Sequence, residues 1–311
     1  MKNRIWYPIL LLLPALVILG TFKFYPILSA FRLSFYDWGI SGEKGFVGLE
    51  NFRALFQDPF FWQSLLNTLW YTVFTVPLSI AFSLFVAALL NRGIKALGLY
   101  RTIYFLPVVT SIVAVSVVWK WLYDPQRGLF NYLLMLLHLH PLQWLEEPRG
   151  VFELLLGRSL PTALKGPSLA LFSISLMSVW KSMGYNIVIF LAGLKNIPQV
   201  YYEAARIDGA GPWQTFRNVT VPLLSPTTFY VTIMTTIVSL QVFAPIWTMT
   251  GPPPGGPLGT TSVVIYYLYQ KGFEEYQVGY GSAIAFVFFL IILAITVLQK
   301  TVLEKRVYYE V

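Results

Sequence analysis

One short stretch in the second half of the chain interrupts an otherwise apolar sequence. It reads Glu203-Ala204-Ala205-Arg206-Ile207-Asp208-Gly209-Ala210-Gly211-Pro212, and it runs on to Val219-Thr220-Val221-Pro222. Charged, polar and small residues are concentrated here between two long apolar segments, residues 168–195 and 224–249. We interpret the stretch as a compact polar insertion on which another molecule docks.

The flanking segments belong to a set of six apolar runs, each long enough to cross a bilayer. Hydrophobic residues make up 56% of the chain and charged residues 12%, with a mean hydropathy of +0.63, whereas soluble domains carry about a quarter charged residues. A membrane-spanning helix needs roughly 20 apolar residues, and such runs lie at 8–31, 66–91, 102–123, 168–195, 224–249 and 280–303. The ten-residue alternation of barrel strands does not occur. The sequence predicts an all-α, polytopic membrane helical bundle with six transmembrane helices.

Charge and cysteine content exclude several classes of function. The net charge is +8, but the basic residues lie at membrane edges and form no patch with interleaved aromatic residues, so nucleic acid is not an expected partner. The chain has no cysteine, which excludes disulfides, thiolate nucleophiles and cysteine-bound metals. Lys2 and Arg4 precede an apolar run that resembles a signal peptide, but this run continues to about Ala30. That length favours a retained first helix.

The distribution of lysine and arginine predicts the orientation in the membrane, because these residues concentrate in cytoplasmic loops. Basic residues flank both termini, the loop after the second run and the polar stretch, at Lys2, Arg4, Arg92, Lys95, Arg101, Lys195, Arg206, Arg217, Lys300, Lys305 and Arg306. Acidic residues fall at the opposite ends of the runs, at Asp37, Glu43, Glu50, Asp58, Asp124, Glu146, Glu147, Glu274 and Glu275. We therefore expect a multi-pass membrane protein with both termini in the cytoplasm.

This topology divides the chain into three parts. Residues 1–65 hold the first helix and an outer amphipathic loop, 66–303 form the transmembrane core, and 304–311 are a cytoplasmic tail. The core contains an outer insertion at about 124–167, with a short helix near 129–138, and the cytoplasmic loop at about 196–222. The run Gly251-Pro252-Pro253-Pro254 cannot continue a helix, so the fifth helix is expected to end near Thr250.

Within the cytoplasmic loop, the residue order predicts a helix, a reversal and a second helix. Pro198 suits a first helical turn, residues 199–208 continue the helix, and Gly209 can adopt the positive φ of a helix end. Gly211-Pro212 turns the chain before a helix over about 213–219. From the residues alone, a protruding knob and an amphipathic loop lying on lipid headgroups are equally compatible with this pattern.

A family resemblance separates these two alternatives. The stretch resembles the EAA motif of permease subunits of bacterial ABC importers: Glu-Ala-Ala, three residues, Gly, nine residues, then Ile-x-Leu-Pro. Glu203-Ala204-Ala205, Gly209 and Val219-Thr220-Val221-Pro222 keep this spacing, with valine in place of isoleucine and of leucine. Among such permeases, those of the carbohydrate and glycerol-phosphate branch are the most similar, because the match extends through Ala210. Weaker matches follow in the expected order along the chain, at Tyr25-Pro26, Val47-Gly48-Leu49, Asn67-Thr68-Leu69, Trp119-Lys120-Trp121 and Gly255-Gly256-Pro257.

The resemblance implies a function and a set of partners. It implies a type I ABC importer fold in which residues 66–303 are the permease core. Such importers have two permeases, and this chain resembles the first of them, the maltose or glycerol-phosphate type. The implied partners are a second permease, two cytoplasmic ATPases, an extracytoplasmic solute-binding protein and membrane lipid. ATP and Mg would be bound by the partner ATPase, since this chain has no Gly-x-x-x-x-Gly-Lys-Ser/Thr loop. The implied ATPase-coupling residues are Glu203, Ala204, Ala205, Asp208, Gly209 and Ala210.

Polar residues inside the membrane runs are candidates for the solute path. Lys181 lies mid-run, close to Tyr185 and Asn186, and an intramembrane charge usually marks a functional site. The alternative is a structural lysine bonded to backbone carbonyls of a neighbouring helix. Gln241, placed in the middle of the fifth helix beside Phe243, offers the amide and aromatic groups with which proteins bind sugars.

No catalytic or metal site is expected in this chain. His138 and His140 point apart on a helix and lack an acidic partner, and the side chains of adjacent Glu146 and Glu147 diverge. The alternatives are an ion-coupled secondary transporter, which would favour paired intramembrane acids, and a membrane-embedded enzyme, which would need a polar catalytic cluster. Neither accounts for the EAA spacing.

Overall fold

The computed structural model describes residues 6–91, 97–161 and 164–308. Four basic residues used for the predicted orientation, Lys2, Arg4, Arg92 and Lys95, lie outside these ranges.

Helices dominate the described residues, because a backbone in lipid must satisfy its hydrogen bonds within the segment. The α-helices are α1 (Trp6–Leu19), α2 (Tyr25–Leu33), α3 (Glu50–Gln57), α4 (Pro59–Leu90), α5 (Leu97–Val109), α6 (Ile112–Leu122), α7 (Leu129–Leu136), α8 (Val151–Leu156), α9 (Leu169–Lys195), α10 (Gln199–Ile207), α11 (Pro212–Thr215), α12 (Val221–Leu223), α13 (Ser225–Leu240), α14 (Ala244–Met249), α15 (Val264–Tyr269) and α16 (Val278–Leu303). Three π-helical segments, at Gly20–Phe24, Phe216–Thr220 and Gln270–Glu274, follow α1, α11 and α15.

The predicted helical membrane protein is confirmed, with four to six candidate spans among the described residues. Four helices in the described ranges are long and apolar enough to cross a bilayer: Ile9–Leu33, Pro59–Leu90, Leu169–Lys195 and Val278–Leu303. Two further candidates are bent pairs, α5 with α6 at 100° and Pro212–Leu223 with α13 at 66°. The number of spans is therefore four, or six if each bent pair counts as one. Helix α4, which contains the second predicted span, begins at Pro59 and not at the predicted residue 66, because proline suits a first helical turn.

One compact unit comprises the chain up to Trp62 together with Tyr267–Ile291. It contains a β-hairpin that the sequence pattern did not indicate, β1 (Tyr36–Gly39) paired antiparallel with β2 (Gly42–Phe46). Asn51, on α3, donates from Nδ2 to the backbone oxygens of Ser34 and Tyr36, at 2.9 and 3.1 Å. The hairpin is thus fixed against α3, and it is the exception to an all-α fold.

Asp58 links several segments of the same unit. Its Oδ1 accepts a hydrogen bond of 2.9 Å from the backbone N–H of Phe60 and so caps α4. Its Oδ2 accepts hydrogen bonds from the hydroxyls of Tyr267 and Tyr280. Burial raises the pKa of this carboxyl, but these hydrogen bonds, with those from backbone N–H groups of Phe60 and Phe61, outweigh it and hold the pKa below its usual value.

The second compact unit comprises Gln63–Tyr266 and the chain from Ile292 onward. Helix α9 packs against α5 and α13 in this unit, and glycines permit the close approach. A Cβ atom on Gly184 would lie 2.1 Å from the backbone oxygen of Tyr104, and one on Gly193 would lie 2.4 Å from Thr227 Oγ1. In the predicted outer insertion, α7 ends at Leu136 rather than 138, and α8 is an additional helix.

Candidate functional site

The polar stretch forms α10 followed by a sharp reversal. Asp208 ends the helix, and Gly209 adopts φ +74°, which confirms the predicted positive φ. The N–H of Gly209 donates to the backbone oxygen of Arg206 at 3.1 Å, and the N–H of Ala210 donates to that of Ala205 at 2.9 Å. This pair of bonds is the Schellman arrangement, which satisfies carbonyls at a helix end. The reversal is therefore fixed by backbone hydrogen bonds.

The second half of the loop differs in detail from the prediction of one helix over 213–219. Helix α11 covers Pro212–Thr215, and the π-helical segment Phe216–Thr220 connects it to α12. Pro212 occupies the first helical turn, where its missing N–H costs no hydrogen bond. The side chain of Gln214 accepts a 2.9 Å hydrogen bond from the N–H of Gly211. The loop thus has caps at both of its helices.

The six predicted docking residues do not all face outward. Glu203, Ala204, Asp208 and Gly209 are exposed, and Ala210 is half-buried. Ala205 is buried, so its side chain supports the loop from within. Glu203 accepts a 2.8 Å hydrogen bond from Gln199 Nε2, which pre-orients the carboxylate on the surface of α10.

The loop also exposes apolar side chains that the sequence analysis did not single out. Ile207 is 87% exposed and Trp213 is 69% exposed. The rings of Trp213 and Phe216 stack with centroids 5.7 Å apart. Large apolar side chains exposed together mark interaction surfaces. The available signal was the presence of Ile207 and Trp213 inside an otherwise polar and small insertion.

The five candidates for the solute path line one cavity in the second unit. The cavity has a volume of about 680 Å³ and includes Lys181, Tyr185, Asn186, Gln241 and Phe243 in its wall. Volumes of roughly 300–1,000 Å³ are typical of small-molecule sites. Among the described residues that line it, Lys181 is the only one with a charged side chain. The structure therefore brings together residues separated by 62 positions, from Lys181 to Phe243.

Lys181 contacts backbone carbonyls of a neighbouring helix, as the structural alternative requires, while it also lines the cavity. Its Nζ donates to the backbone oxygens of Pro107 and Thr110, at 2.8 and 2.9 Å. These oxygens belong to the end of α5, just before the 100° bend into α6. The last carbonyls of a helix lack partners within it and carry partial negative charge. The ammonium group thus stabilises the broken end of α5.

Asn186 is held in a polar network between helices. Its Nδ2 donates to Ser79 Oγ at 2.9 Å and, at 3.4 Å, to Thr235 Oγ1. Ser79 Oγ also lies 2.8 Å from Ser182 Oγ. The side chain is buried, so Asn186 shapes the cavity wall from behind.

Gln241 is not in the middle of a helix, which corrects the sequence interpretation. Helix α13 ends at Leu240 and α14 begins at Ala244, so Gln241 and Phe243 lie in a break. Pro245 explains it, because in a continuous helix its ring would clash with the carbonyl four residues earlier, that of Gln241. Gln241 and Tyr185 are exposed, and the ring of Phe243 stacks on Trp247 at 5.8 Å. Pro245 was the signal for this break.

Two buried hydroxyls also line the cavity without well-formed partners. Thr75 Oγ1 and Ser178 Oγ have no hydrogen-bond partner of normal geometry among the described residues. The hydroxyl of Tyr71, which lines the same cavity, lies beside both of them. Together the three hydroxyls make this part of the wall polar.

Outside the spans, Glu147, one of the two adjacent glutamates set aside as a catalytic pair, forms an ion pair. Glu147 Oε2 lies 2.8 Å from Arg149 Nη2, and this hydrogen bond lowers the pKa of Glu147. His138 and His140 are both exposed. Across the described ranges, no group of three His, Asp or Glu side chains is placed to hold a metal ion.

Comparison with known proteins gives consistent matches along almost the whole chain. The profile of the family described as "Binding-protein-dependent transport system inner membrane component" matches residues 54–308. A probable ABC transporter permease protein of Pyrococcus horikoshii is 34% identical over 292 residues, covering 93% of this chain and 92% of that protein. The sn-glycerol-3-phosphate transport system permease protein UgpA of Yersinia pestis is 33% identical over 309 residues, with 98% and 96% covered.

The fold is similar to that of a solved importer subunit. A chain in the crystal structure of a bacterial alginate ABC transporter, in complex with an alginate pentasaccharide-bound periplasmic protein, superposes with a TM-score of 0.79. The alignment covers 99% of this chain and 98% of that chain at 22% sequence identity. At this identity, the likeness shows the fold.

Proposed function

Because the chain belongs to the family of binding-protein-dependent transport system inner membrane components, we propose that it is a permease subunit of an ABC importer for a sugar, oligosaccharide or glycerol-phosphate-like solute. The family match and the glycerol-3-phosphate permease among the relatives support this class of solute. A cavity with amide, hydroxyl and aromatic groups in its wall suits a polyol, since sugars present both apolar faces and hydroxyls.

The importer would contain three further kinds of component. A second permease would complete the solute path, two cytoplasmic ATPases would bind ATP and Mg, and an extracytoplasmic binding protein would deliver the solute. The chain itself would catalyse no reaction. Nucleotide binding would shift the population between inward- and outward-facing states. Both termini would lie in the cytoplasm, with 1–65 and 304–311 flanking the permease core.

The observation that carries the proposal is the geometry of the α10 loop. A short exposed helix ends in a reversal held by Gly209, with exposed Ile207 and Trp213 beside it. A rigid knob with an apolar surface can transmit motion when it is seated in a groove. We assign the ATPase contact to Glu203, Ala204, Asp208, Gly209 and Ala210, with Ala205 supporting them from inside.

The solute path would follow the cavity between α9 and the break after α13. Tyr185, Gln241 and Phe243 would contact the solute, because each presents surface to the cavity or to its opening. Lys181 and Asn186 would form the wall, since both are bonded to protein groups. The hydroxyls of Thr75 and Ser178 would pair with hydroxyls of the solute.

Reconstitution of the chain with its ATPase, second permease and binding protein in proteoliposomes tests the proposal. We expect uptake of a labelled saccharide or glycerol phosphate that requires both ATP and binding protein. The chain purified alone should hydrolyse no ATP. Uptake driven by an ion gradient without ATP would indicate the secondary-transporter alternative. ATP hydrolysis by the chain alone would contradict the assignment of ATP binding to separate ATPase subunits.

A further inference from the structure

Helix α7 presents an apolar face that is unpartnered among the described residues. Its eight residues contain no charged side chain. Five of them, Leu129, Tyr132, Leu133, Met135 and Leu136, are exposed. Contiguous exposed apolar surface of this kind marks a site of contact with a partner or with a membrane.

The opposite face of α7 is fixed to the protein, so the helix cannot roll to bury these side chains. Asn131 donates from Nδ2 to the backbone oxygens of Pro125 and Leu142, both at 2.9 Å. Its Oδ1 accepts hydrogen bonds from the N–H of Leu142 at 3.0 Å and from Trp144 Nε1 at 2.8 Å. All four hydrogen-bonding positions of this buried amide are occupied. The apolar face is therefore held outward.

Two exposed aromatic side chains lie close to the end of a candidate membrane span, Trp121 at the end of α6 and Tyr132 on α7. Tryptophan and tyrosine are enriched at the level of the lipid headgroups. Helix α7 is tied to the end of α6 by an aromatic cluster, in which the ring centroid of Phe130 lies 5.6 Å from that of Trp119 and 5.0 Å from that of Tyr123. The cluster lies at the end of α6, which forms a candidate membrane span with α5.

Exposed apolar residues also precede α7, on α6 of the candidate span. On α6, Val117 and Trp121 are exposed, Trp121 to 71%. A polar turn then follows, in which Asp124 Oδ1 accepts hydrogen bonds from the N–H groups of Gln126 and Arg127, at 3.0 and 2.7 Å. After this turn the exposed apolar residues resume in α7. An uncharged helix that exposes apolar side chains and a tyrosine, close after the end of a candidate span, is suited to contact lipid at the interface.

We propose that α7 lies in the bilayer interface, with Tyr132, Leu133 and Leu136 in the boundary between headgroups and acyl chains. The topology proposed above makes this the outer leaflet, although the lipid contact itself does not depend on that orientation. The occupant of the apolar face is therefore lipid, and not a second protein subunit. In this position α7 anchors the aromatic cluster at the end of α6 to the membrane.

The absence of cysteine in the chain permits a direct test with single nitroxide labels. Leu133→Cys and Leu136→Cys are labelled in the importer assembled with its partners, in nanodiscs of phosphatidylethanolamine and phosphatidylglycerol. Collision rates with oxygen, which partitions into lipid, and with a water-soluble nickel chelate are measured by electron paramagnetic resonance. Val117→Cys on α6 serves as the lipid reference, and Ser41→Cys, exposed in the turn between β1 and β2, serves as the aqueous reference.

We expect both α7 labels to collide more often with oxygen than with the chelate, as at position 117, and the label at 41 to show the reverse. Leu134→Cys, on the half-buried side of α7, should be shielded from both reagents. A chelate preference at 133 and 136 would place α7 in water and overturn the proposal. Shielding from both reagents at 133 and 136 would indicate a protein partner, and would equally overturn it.

Discussion

Gly184 and Gly209 lie in two regions that require glycine for opposite reasons. At Gly184, in α9, a Cβ atom would lie 2.1 Å from the backbone oxygen of Tyr104 on α5. At Gly209, in the loop after α10, a Cβ atom would meet nothing within 4 Å, but φ is +74°. The membrane region is thus specified by packing between helices, and the loop by the conformation of its own backbone. The first tolerates no added atom, whereas the second tolerates bulk and rejects the wrong dihedral.

The largest effect should come from adding one methyl group in the packed region. Gly184→Ala forces α9 and α5 apart, and overpacking costs about 1–3 kcal/mol, occasionally more; a clash with backbone places this change at the upper end. We expect a large fall in the melting temperature of the detergent-solubilised protein. Gly98→Ala is the matched control, because a Cβ atom on Gly98 of α5 meets nothing within 4 Å. Equal melting temperatures for the two variants would contradict the packing argument.

Lys181 tests the same region through hydrogen bonding. Lys181→Met keeps an unbranched side chain, one atom shorter, but removes the ammonium donor. The oxygen of Pro107 keeps its hydrogen bond from Thr110 Oγ1, whereas the oxygen of Thr110 loses its donor, at a cost of about 1–3 kcal/mol. We expect lower thermal stability together with weaker transport. Lys181→Arg, which retains the charge and the donors, should recover much of the stability. Unchanged stability in Lys181→Met with transport abolished would show that the lysine acts on the solute alone.

Gly209 tests the loop, where the expected loss is one of coupling rather than of folding. Valine would have to adopt a positive φ, at a cost of about 1–3 kcal/mol, and this strain would displace the knob. We expect Gly209→Val to insert and melt almost as the wild type does, but to lose uptake in proteoliposomes. Gly209→Asn is the matched control, since asparagine tolerates this conformation. Full uptake by the valine variant would refute the assignment of the loop.

Ile207 should give the smallest change in stability. Its side chain is 87% exposed, so Ile207→Ala should alter the free energy of unfolding by no more than about 0.5 kcal/mol. If Ile207 anchors the ATPase contact, affinity for the ATPase should fall about tenfold, equivalent to about 1.4 kcal/mol. Titration of the purified ATPase against the permease in nanodiscs measures this. Wild-type affinity would exclude Ile207 from the docking surface.

The two regions also differ in how much the sequence could predict. The reversal at Gly209 was predictable, because it depends on a helix, a glycine and a proline that are adjacent in the chain. The helical membrane class was predictable as well, since it follows from the length of the apolar runs. The cavity candidates were named individually, but their meeting in one wall depends on how α9 and α13 pack.

The misses have physical reasons. The break at Gln241 is caused by Pro245, whose ring would clash with the carbonyl of Gln241 in a continuous helix. The apolar run continues through both residues, so its length alone predicts an unbroken helix. The bend before α6 depends only in part on nearby residues. Lys181, 71 positions beyond Thr110, donates to the backbone oxygen of Thr110 and so stabilises the bend from a distant part of the chain. The hairpin at 36–46 has short strands with many polar residues and glycines, so it carries little alternation.

The positive φ of Gly209 has a consequence for chirality. A D-alanine at this position would adopt φ +74° as readily as an L-residue adopts the mirror-image angle. A semisynthetic chain with D-alanine at 209 should therefore keep the reversal, and it should lose fewer backbone conformations on folding than glycine does. The turn selects the handedness of the residue, and not its size.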